Sequence, residues 1–282
     1  MHDRHALPGT DVVIDGVRLH VVEHGPAAAP VLVLVHGLPT SGTLWSDVAR
    51  DLEHSHRCLL PDLVGLGESE SPAVPGAFRP VEQARRLLGL LDTLQVDRFA
   101  IGGHDIGGAI AVHVAALAPE RITGLALLTA TVHEEMWPVP QALPYLIPGL
   151  GRVIVTALRR APARALGALR AAFGTDLPDS ALRPWVTALC APDGGRGALA
   201  VFRAMDLAAT EAALPLLAGI PALVLWGEQD TVHDVAYGRR VAAALPGAAW
   251  VPVQGGHLLP AERPERVAEE LHAFLAEVGA AG

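Results

Sequence analysis

The sequence predicts an α/β protein with a doubly wound, mostly parallel sheet of about eight strands and a helical cap inserted after the sixth strand. Three observations carry this expectation. Apolar strand-like runs alternate with helical patterns along most of the chain. One run, Val31-Leu32-Val33-Leu34-Val35, is apolar throughout, as in a strand buried on both faces of a parallel sheet. The alternation stops between residues 133 and 207 and then resumes.

Taken in order, residues 11–23 alternate apolar and polar side chains around Asp15-Gly16, which reads as a hairpin. After the buried run, strands are expected at residues 57–60, 98–101, 122–128, 222–226 and 249–253. Helical patterns occupy residues 43–52, 80–94, 106–117, 235–245 and 264–278. Strands and helices alternating in this way form right-handed crossovers over a doubly wound sheet. The interrupted stretch opens with Pro138, Pro140, Pro144 and Pro148, turns Ala/Arg-rich and helical to about residue 172, and contains no apolar strand run. The expected division is therefore a core of residues 1–132 and 208–282 carrying a cap of residues 133–207. Arginines outnumber acids in the cap and are read as a solvated outer face.

Composition narrows the function classes. With 51% apolar and 18% charged residues, the chain has the balance of a well-packed soluble enzyme. A net charge of −9 argues against nucleic acid as a partner, because phosphate neutralisation needs a basic face. All positive charge is arginine, since the sequence contains no lysine; this is read as a bias of the coding genome. Cys58 and Cys190 are too few for a disulfide framework and have no metal-ligand spacing. The start, Met1-His2-Asp3-Arg4-His5-Ala6, lacks the basic-then-apolar pattern of a signal peptide, and no uncharged run suits a membrane span. The expectation is a cytoplasmic protein without a membrane partner, metal or cofactor, with a homodimer left open.

Five separated motifs carry the chemistry. His36-Gly37-Leu38-Pro39 follows the buried strand, and Asp62-Leu63-Val64-Gly65-Leu66-Gly67-Glu68-Ser69 follows the next. Gly103-His104-Asp105-Ile106-Gly107-Gly108 lies between a strand and an apolar helix, the strand–turn–helix setting of a nucleophile elbow. Leu225-Trp226-Gly227-Glu228-Gln229-Asp230 ends a strand with acids, and Gly255-Gly256-His257 follows the last strand. Nucleophile, acid, histidine is a known triad order in chains of this architecture. Glu228 and Asp234 stand close to Asp230 in sequence and compete with it for the acid's place. A carboxylate where a hydroxyl is usual attacks carbon directly and becomes an ester, which suits alkyl electrophiles.

On these residues the chain resembles the aspartate-nucleophile branch of the α/β-hydrolase superfamily, which contains epoxide hydrolases, haloalkane dehalogenases and fluoroacetate dehalogenases. The resemblance covers nearly everything outside the cap. It implies Asp105 as nucleophile, His257 as the base that activates water, and Asp230, by its place after the strand, as the acid that orients His257. It implies an oxyanion hole made by the backbone N–H groups of Leu38 and Ile106, with a cis peptide before Pro39. His104 is expected to pack beneath the elbow, and the remaining histidines considered (His2, His5, His20, His24, His54, His56, His113 and His272) show no ligand spacing.

The leaving group separates the branch members. Haloalkane dehalogenases usually place a tryptophan after the nucleophile and an Asn or second Trp elsewhere, where this chain has Ile106 and Leu38. Fluoroacetate dehalogenases carry arginines after the nucleophile, where Ile106 and Ala109 stand. Epoxide hydrolases usually protonate the opening oxygen with cap tyrosines. Val201-Phe202-Arg203-Ala204 resembles the stretch that supplies one, with Phe202 in the tyrosine's place. Tyr145 or His133 is left as the leaving-group acid, and Trp137, Phe173, Trp185 and Phe202 are expected to line the pocket. The resemblance thus implies an epoxide hydrolase that opens an apolar or aromatic epoxide to a diol, with water as the second substrate. The alternatives are a haloalkane dehalogenase-like enzyme with an atypical halide site, an ester, lactone or biosynthetic ring-opening hydrolase, and a receptor without turnover.

Overall fold

The computed structural model describes residues 9–74, 76–190 and 193–281. Its centre is an eight-stranded sheet: β1 (Thr10–Ile14), β2 (Val17–His24), β3 (Val31–Val35), β4 (Arg57–Pro61), β5 (Phe99–His104), β6 (Ile122–Leu128), β7 (Ala222–Gly227) and β8 (Ala249–Val253). The strands lie in the order β1-β2-β4-β3-β5-β6-β7-β8. β2 runs antiparallel to both neighbours, and every pairing from β4 to β8 is parallel. The expected hairpin is β1 and β2, joined through Asp15 and Gly16 at φ of 49° and 75°.

β3 shows why an unbroken apolar run marks the middle of the sheet. Leu32 and Leu34 enter one core with α1 (Ser46–Leu52) and α12 (Pro264–Ala281), whereas Val33 and Val35 enter the other with α2 (Pro80–Thr93) and α3 (Ile106–Leu117). Alternate side chains of a strand point to opposite faces, so both faces here need apolar residues.

Two expected boundaries moved. The helix expected at residues 43–52 starts as a tighter 3-10 turn, Gly42–Trp45, before α1. There the Gly42 N–H donates to the Asp62 carboxylate at 2.7 Å, which ties the turn to the segment after β4. β5 extends to His104 because its pairing with β6 continues to His104 and Leu128, although Gly102 and Gly103 disguise the strand in the sequence.

Between β6 and β7, among the described residues, the chain makes no strand. It forms α4 (Leu143–Leu146), α5 (Leu150–Arg159), α6 (Pro162–Phe173), α7 (Asp179–Cys190) and α8 (Gly194–Ala204), followed by α9 (Leu207–Ala213). This is the insertion expected after the sixth strand. α10 (Val235–Ala244) then connects β7 to β8, and α11 (Leu259–Glu262) precedes α12. The motif loops after β3, β4, β5, β7 and β8 all lie at the carboxyl ends of parallel strands, where ligands gather in such sheets.

Candidate active site

Asp105 occupies the junction of β5 and α3 with φ 52° and ψ −126°. Non-glycine residues rarely take such a conformation, and it persists only where surrounding packing enforces it. That packing is close: a Cβ on Gly37 would lie 2.5 Å from the Asp105 Cβ and 2.6 Å from its Oδ2. Glycine at position 37 therefore lets the loop after β3 close over the carboxylate. The Leu38 N–H donates to Asp105 Oδ2 at 2.9 Å, and the Leu38–Pro39 peptide is cis. Ile106 is buried and opens α3, so its N–H lies at a helix end outside the helix's own ladder. The positive end of the helix dipole favours negative charge there.

The loop after β3 is held in turn by the buried imidazole of His36 and the carboxylate of Asp62. His36 is fully buried, with Nδ1 2.9 Å from the Gly37 carbonyl, and its Nε2 accepts the Leu63 N–H at 3.0 Å. Burial lowers its pKa against the pull of Asp62, so the ring stays neutral and donates from Nδ1. Asp62 accepts the N–H groups of Gly42 and Glu68, at 2.7 and 2.8 Å, which joins the two loops that the resemblance had singled out.

His257 faces the aspartate. Its Nδ1 is 3.0 Å from Asp230 Oδ2, and its Nε2 is 3.9 Å from Asp105 Oδ1. The other oxygen of Asp230 accepts the N–H groups of Val232 and His233 at 2.7 and 3.0 Å. Burial alone would raise the Asp230 carboxyl, but the His257 charge and these hydrogen bonds outweigh it and hold it low. For His257 burial pulls the pKa down, yet Asp230, Asp105 and Glu262 together carry it above the ordinary value. The close approach depends on Gly227 at the end of β7, where a Cβ would sit 2.2 Å from the Gly256 carbonyl oxygen. The His257 carbonyl accepts from His104 Nε2 at 2.8 Å and from Thr129 Oγ1 at 3.0 Å. His104 thus packs beside the elbow, and burial, then the nearby His257, pushes its pKa to about 4.

One further residue contacts Asp105 and a second stands behind it, and neither was singled out in the sequence. Thr131 Oγ1 donates to Asp105 Oδ1 at 2.9 Å, and the same oxygen lies 2.8 Å from His233 Nε2. A carboxylate only accepts, so the single threonine proton goes to Asp105 and His233 must donate to Thr131. Burial, then repulsion from His257, moves His233 down to about 4, which leaves a neutral ring with its proton on Nε2. His233 stands three residues after Asp230, inside the turn that Asp230 caps. That spacing was the only available signal. Thr131 had none, because it reaches Asp105 only through the pairing of β5 with β6.

The cap closes a cavity of about 110 Å³ above this floor. Trp137, Tyr145, Phe173 and Phe202 line it, together with Asp105, His233 and His257. Phe173 stacks on the His257 ring at 5.4 Å. Tyr145 and Trp137 each stack on Phe202, with centroids 5.3 and 5.5 Å away. Burial raises the Tyr145 phenol above its ordinary pKa, so it stays protonated at neutral pH.

Two expected roof residues stand elsewhere. His133 lies 3.2 Å from Glu211 and does not line the cavity, so the acidic neighbour on α9 claims its ring. Trp185 is buried between cap and core, where its indole N–H donates to Thr43 Oγ1 at 2.9 Å. Among the described residues no group of three or more His, Cys, Asp or Glu side chains could hold a metal ion.

Residues 30–264 match the family model of the alpha/beta hydrolase fold. The chain belongs to that family. A haloalkane dehalogenase of Mesorhizobium japonicum is 28% identical over 91% of this chain and 87% of its own. An epoxide hydrolase of Caballeronia sordidicola is 32% identical, but over only 39% of this chain and 33% of its own. The magnesium-chelatase 30 kDa subunit of Rhodobacter capsulatus is 32% identical over 85% of this chain and 84% of its own. Among solved structures, Cfl2 from Burkholderia cenocepacia superposes with a TM-score of 0.81 at 26% identity, over 94% of this chain and 95% of its own.

Proposed function

We propose that this chain hydrolyses a small apolar carbon electrophile through an ester on Asp105, and that the electrophile is an epoxide. The observation that carries the reading is the division of labour at Asp105. Oδ2 receives the Leu38 N–H, while Oδ1 receives the Thr131 hydroxyl and faces His257 Nε2. Oδ1 attacks a ring carbon, the carbon–oxygen bond opens, and the released oxygen takes the Tyr145 proton. His257 then removes a proton from water, which adds to Cγ of the ester. The oxyanion forms on Oδ2 against Leu38 and Ile106, and loss of one such donor typically costs about 10²–10³ in rate. Collapse breaks the Cγ–Oδ1 bond; Oδ1 leaves with the diol and takes the remaining proton of the added water, whose oxygen replaces it in the regenerated carboxylate. His257 passes its extra proton back to the tyrosinate through solvent, and no net charge is produced.

Cavity size limits the substrate. A dry apolar cavity of about 150 Å³ holds benzene, so 110 Å³ suits a molecule of similar or smaller bulk. The aliphatic side chains of Leu38 and Ile106 beside the carboxylate offer no donor to a halide, and Tyr145 supplies the phenol that an opening epoxide needs. One observation favours a second reading. The haloalkane dehalogenase relative matches 91% of this chain, far more than the epoxide hydrolase relative does. In that reading, the Trp137 indole would receive the halide.

One experiment separates these readings. A single turnover in heavy-oxygen water should place label on Asp105 and none in the product, and label found only in product excludes the ester. Diol formation without halide release, on a matched panel of small epoxides and haloalkanes, supports the epoxide. Halide release alone supports the second reading.

A further inference from the structure

Among the described residues, eight large hydrophobic side chains are exposed, and four of them, Leu143, Ile147, Leu150 and Val153, fall within one short stretch of the cap. They are 39–64% exposed. This stretch is α4 and the start of α5, and the two segments meet at a bend of 103° that turns them into a knuckle. On α5, Leu150, Val153 and Ala157 follow three- and four-residue spacings and share one exposed stripe. Arg152, Thr156 and Arg159 form the stripe beside it. The opposite side of the same helix is inward, where Val155 and Leu158 line the cavity.

Charge follows the same division. Residues 136–175 contain five arginines and no acid, in a chain of net charge −9. Arg152, Arg159, Arg160 and Arg164 are exposed, and none pairs with a carboxylate among the described residues. Exposed aliphatic side chains grouped beside unpaired arginines fit an interface of acyl chain and anionic headgroup, with the arginine stems lying on the apolar part. We propose that this knuckle docks on an anionic lipid surface and turns the roof of the cavity toward it.

A second copy of the chain fits the patch poorly. A two-fold contact sets a patch against itself, which would oppose four unpaired arginines with four more. Lipid phosphates instead neutralise them, and acyl chains cover Leu150 and Val153. The expectation of no membrane partner rested on spanning segments. No single helix among the described residues is long and apolar enough to cross a membrane. The bent pair as a whole has the length and apolar composition of a broken span, but Val155 and Leu158 on its inner side line the cavity, which fits a knuckle lying along a surface. Ala142, Tyr145, Val155 and Leu158, on or next to the same two helices, line the cavity, so an apolar molecule dissolved in lipid would meet the roof directly.

The test is flotation of the whole protein with vesicles of phosphatidylcholine alone or with one third phosphatidylglycerol. Binding to the anionic vesicles should exceed binding to the neutral ones by about tenfold or more, and raised salt should weaken it. Val153→Glu, and separately Arg152→Glu with Arg159→Glu, should each cut anionic binding by about tenfold or more. These side chains are exposed and outside the cavity, so unchanged circular dichroism and melting would show intact folding. Equal binding to both vesicle types, or none, overturns the proposal. So does light scattering that shows a dimer which Val153→Glu converts to monomer.

Discussion

The floor and the roof of the cavity are built on opposite principles. In the floor, the carboxylates of Asp105 and Asp230 each have assigned donors, and fully buried side chains fix their angles. In the roof, Trp137 and Tyr145 stack on Phe202 beneath short helices with an exposed outer face. Directional hydrogen bonds on rigid strand ends hold geometry to fractions of an ångström, whereas ring stacking sets shape and tolerates exchange. On the proposed reading the floor supplies the ester chemistry, and the roof, through Tyr145, selects the leaving group.

The sharpest way to break this comparison is Asp105→Ala. Hydrolysis should fall by about 10⁴-fold or more, as when one member of a triad is removed, and a smaller loss would remove Asp105 from the chemistry. Next is Tyr145→Phe, which keeps the stack on Phe202 and deletes the phenol. Epoxide opening should drop by about 10²–10⁴, with halide release untouched; equal losses on both substrates would reduce Tyr145 to packing. Thr131→Val should cost about 10–100-fold in kcat, the worth of a hydrogen bond to a charged group. Because it orients Oδ1 without touching substrate, KM should hold steady. The smallest effect is electrostatic. Asp105 helps raise the His257 pKa, so in Asp105→Ala the imidazole should titrate at lower pH than in the unaltered chain, read by NMR of the ring protons.

The floor was far more legible than the roof. Glycine-framed motifs at strand ends mark Asp105, Asp230 and His257, because close backbone approach dictates residue type at Gly37 and Gly227. The sheet was equally readable, since a strand buried on two faces must be apolar at every position. Thr131 escaped because its contact is made across strands and leaves no local pattern. Cap aromatics gave only composition. Trp185 and Trp137 look alike in sequence, yet one donates to Thr43 in the cap–core seam and the other faces the cavity. His133 was misjudged for the same reason, since Glu211 reaches it from seventy-eight residues further along the chain.

The neutral imidazoles beside His257 also set the acid limit of the fold itself. His104 and His233 titrate near about 4 when folded, against an ordinary value of 6.5. Their folded pKa values are depressed, so below 6.5 the unfolded chain takes up protons that the native one refuses. Native stability therefore declines as the medium is acidified from there, and these two rings add no further loss once both can charge in place. Thermal midpoints should fall through that window, with protons absorbed on melting by these two rings and by His36, whose pKa burial also lowers. Replacing either ring by a neutral amide should flatten the slope. His233, which holds Thr131 toward Asp105, and His104, which holds the His257 backbone, are thus also rings that make the protein acid-labile.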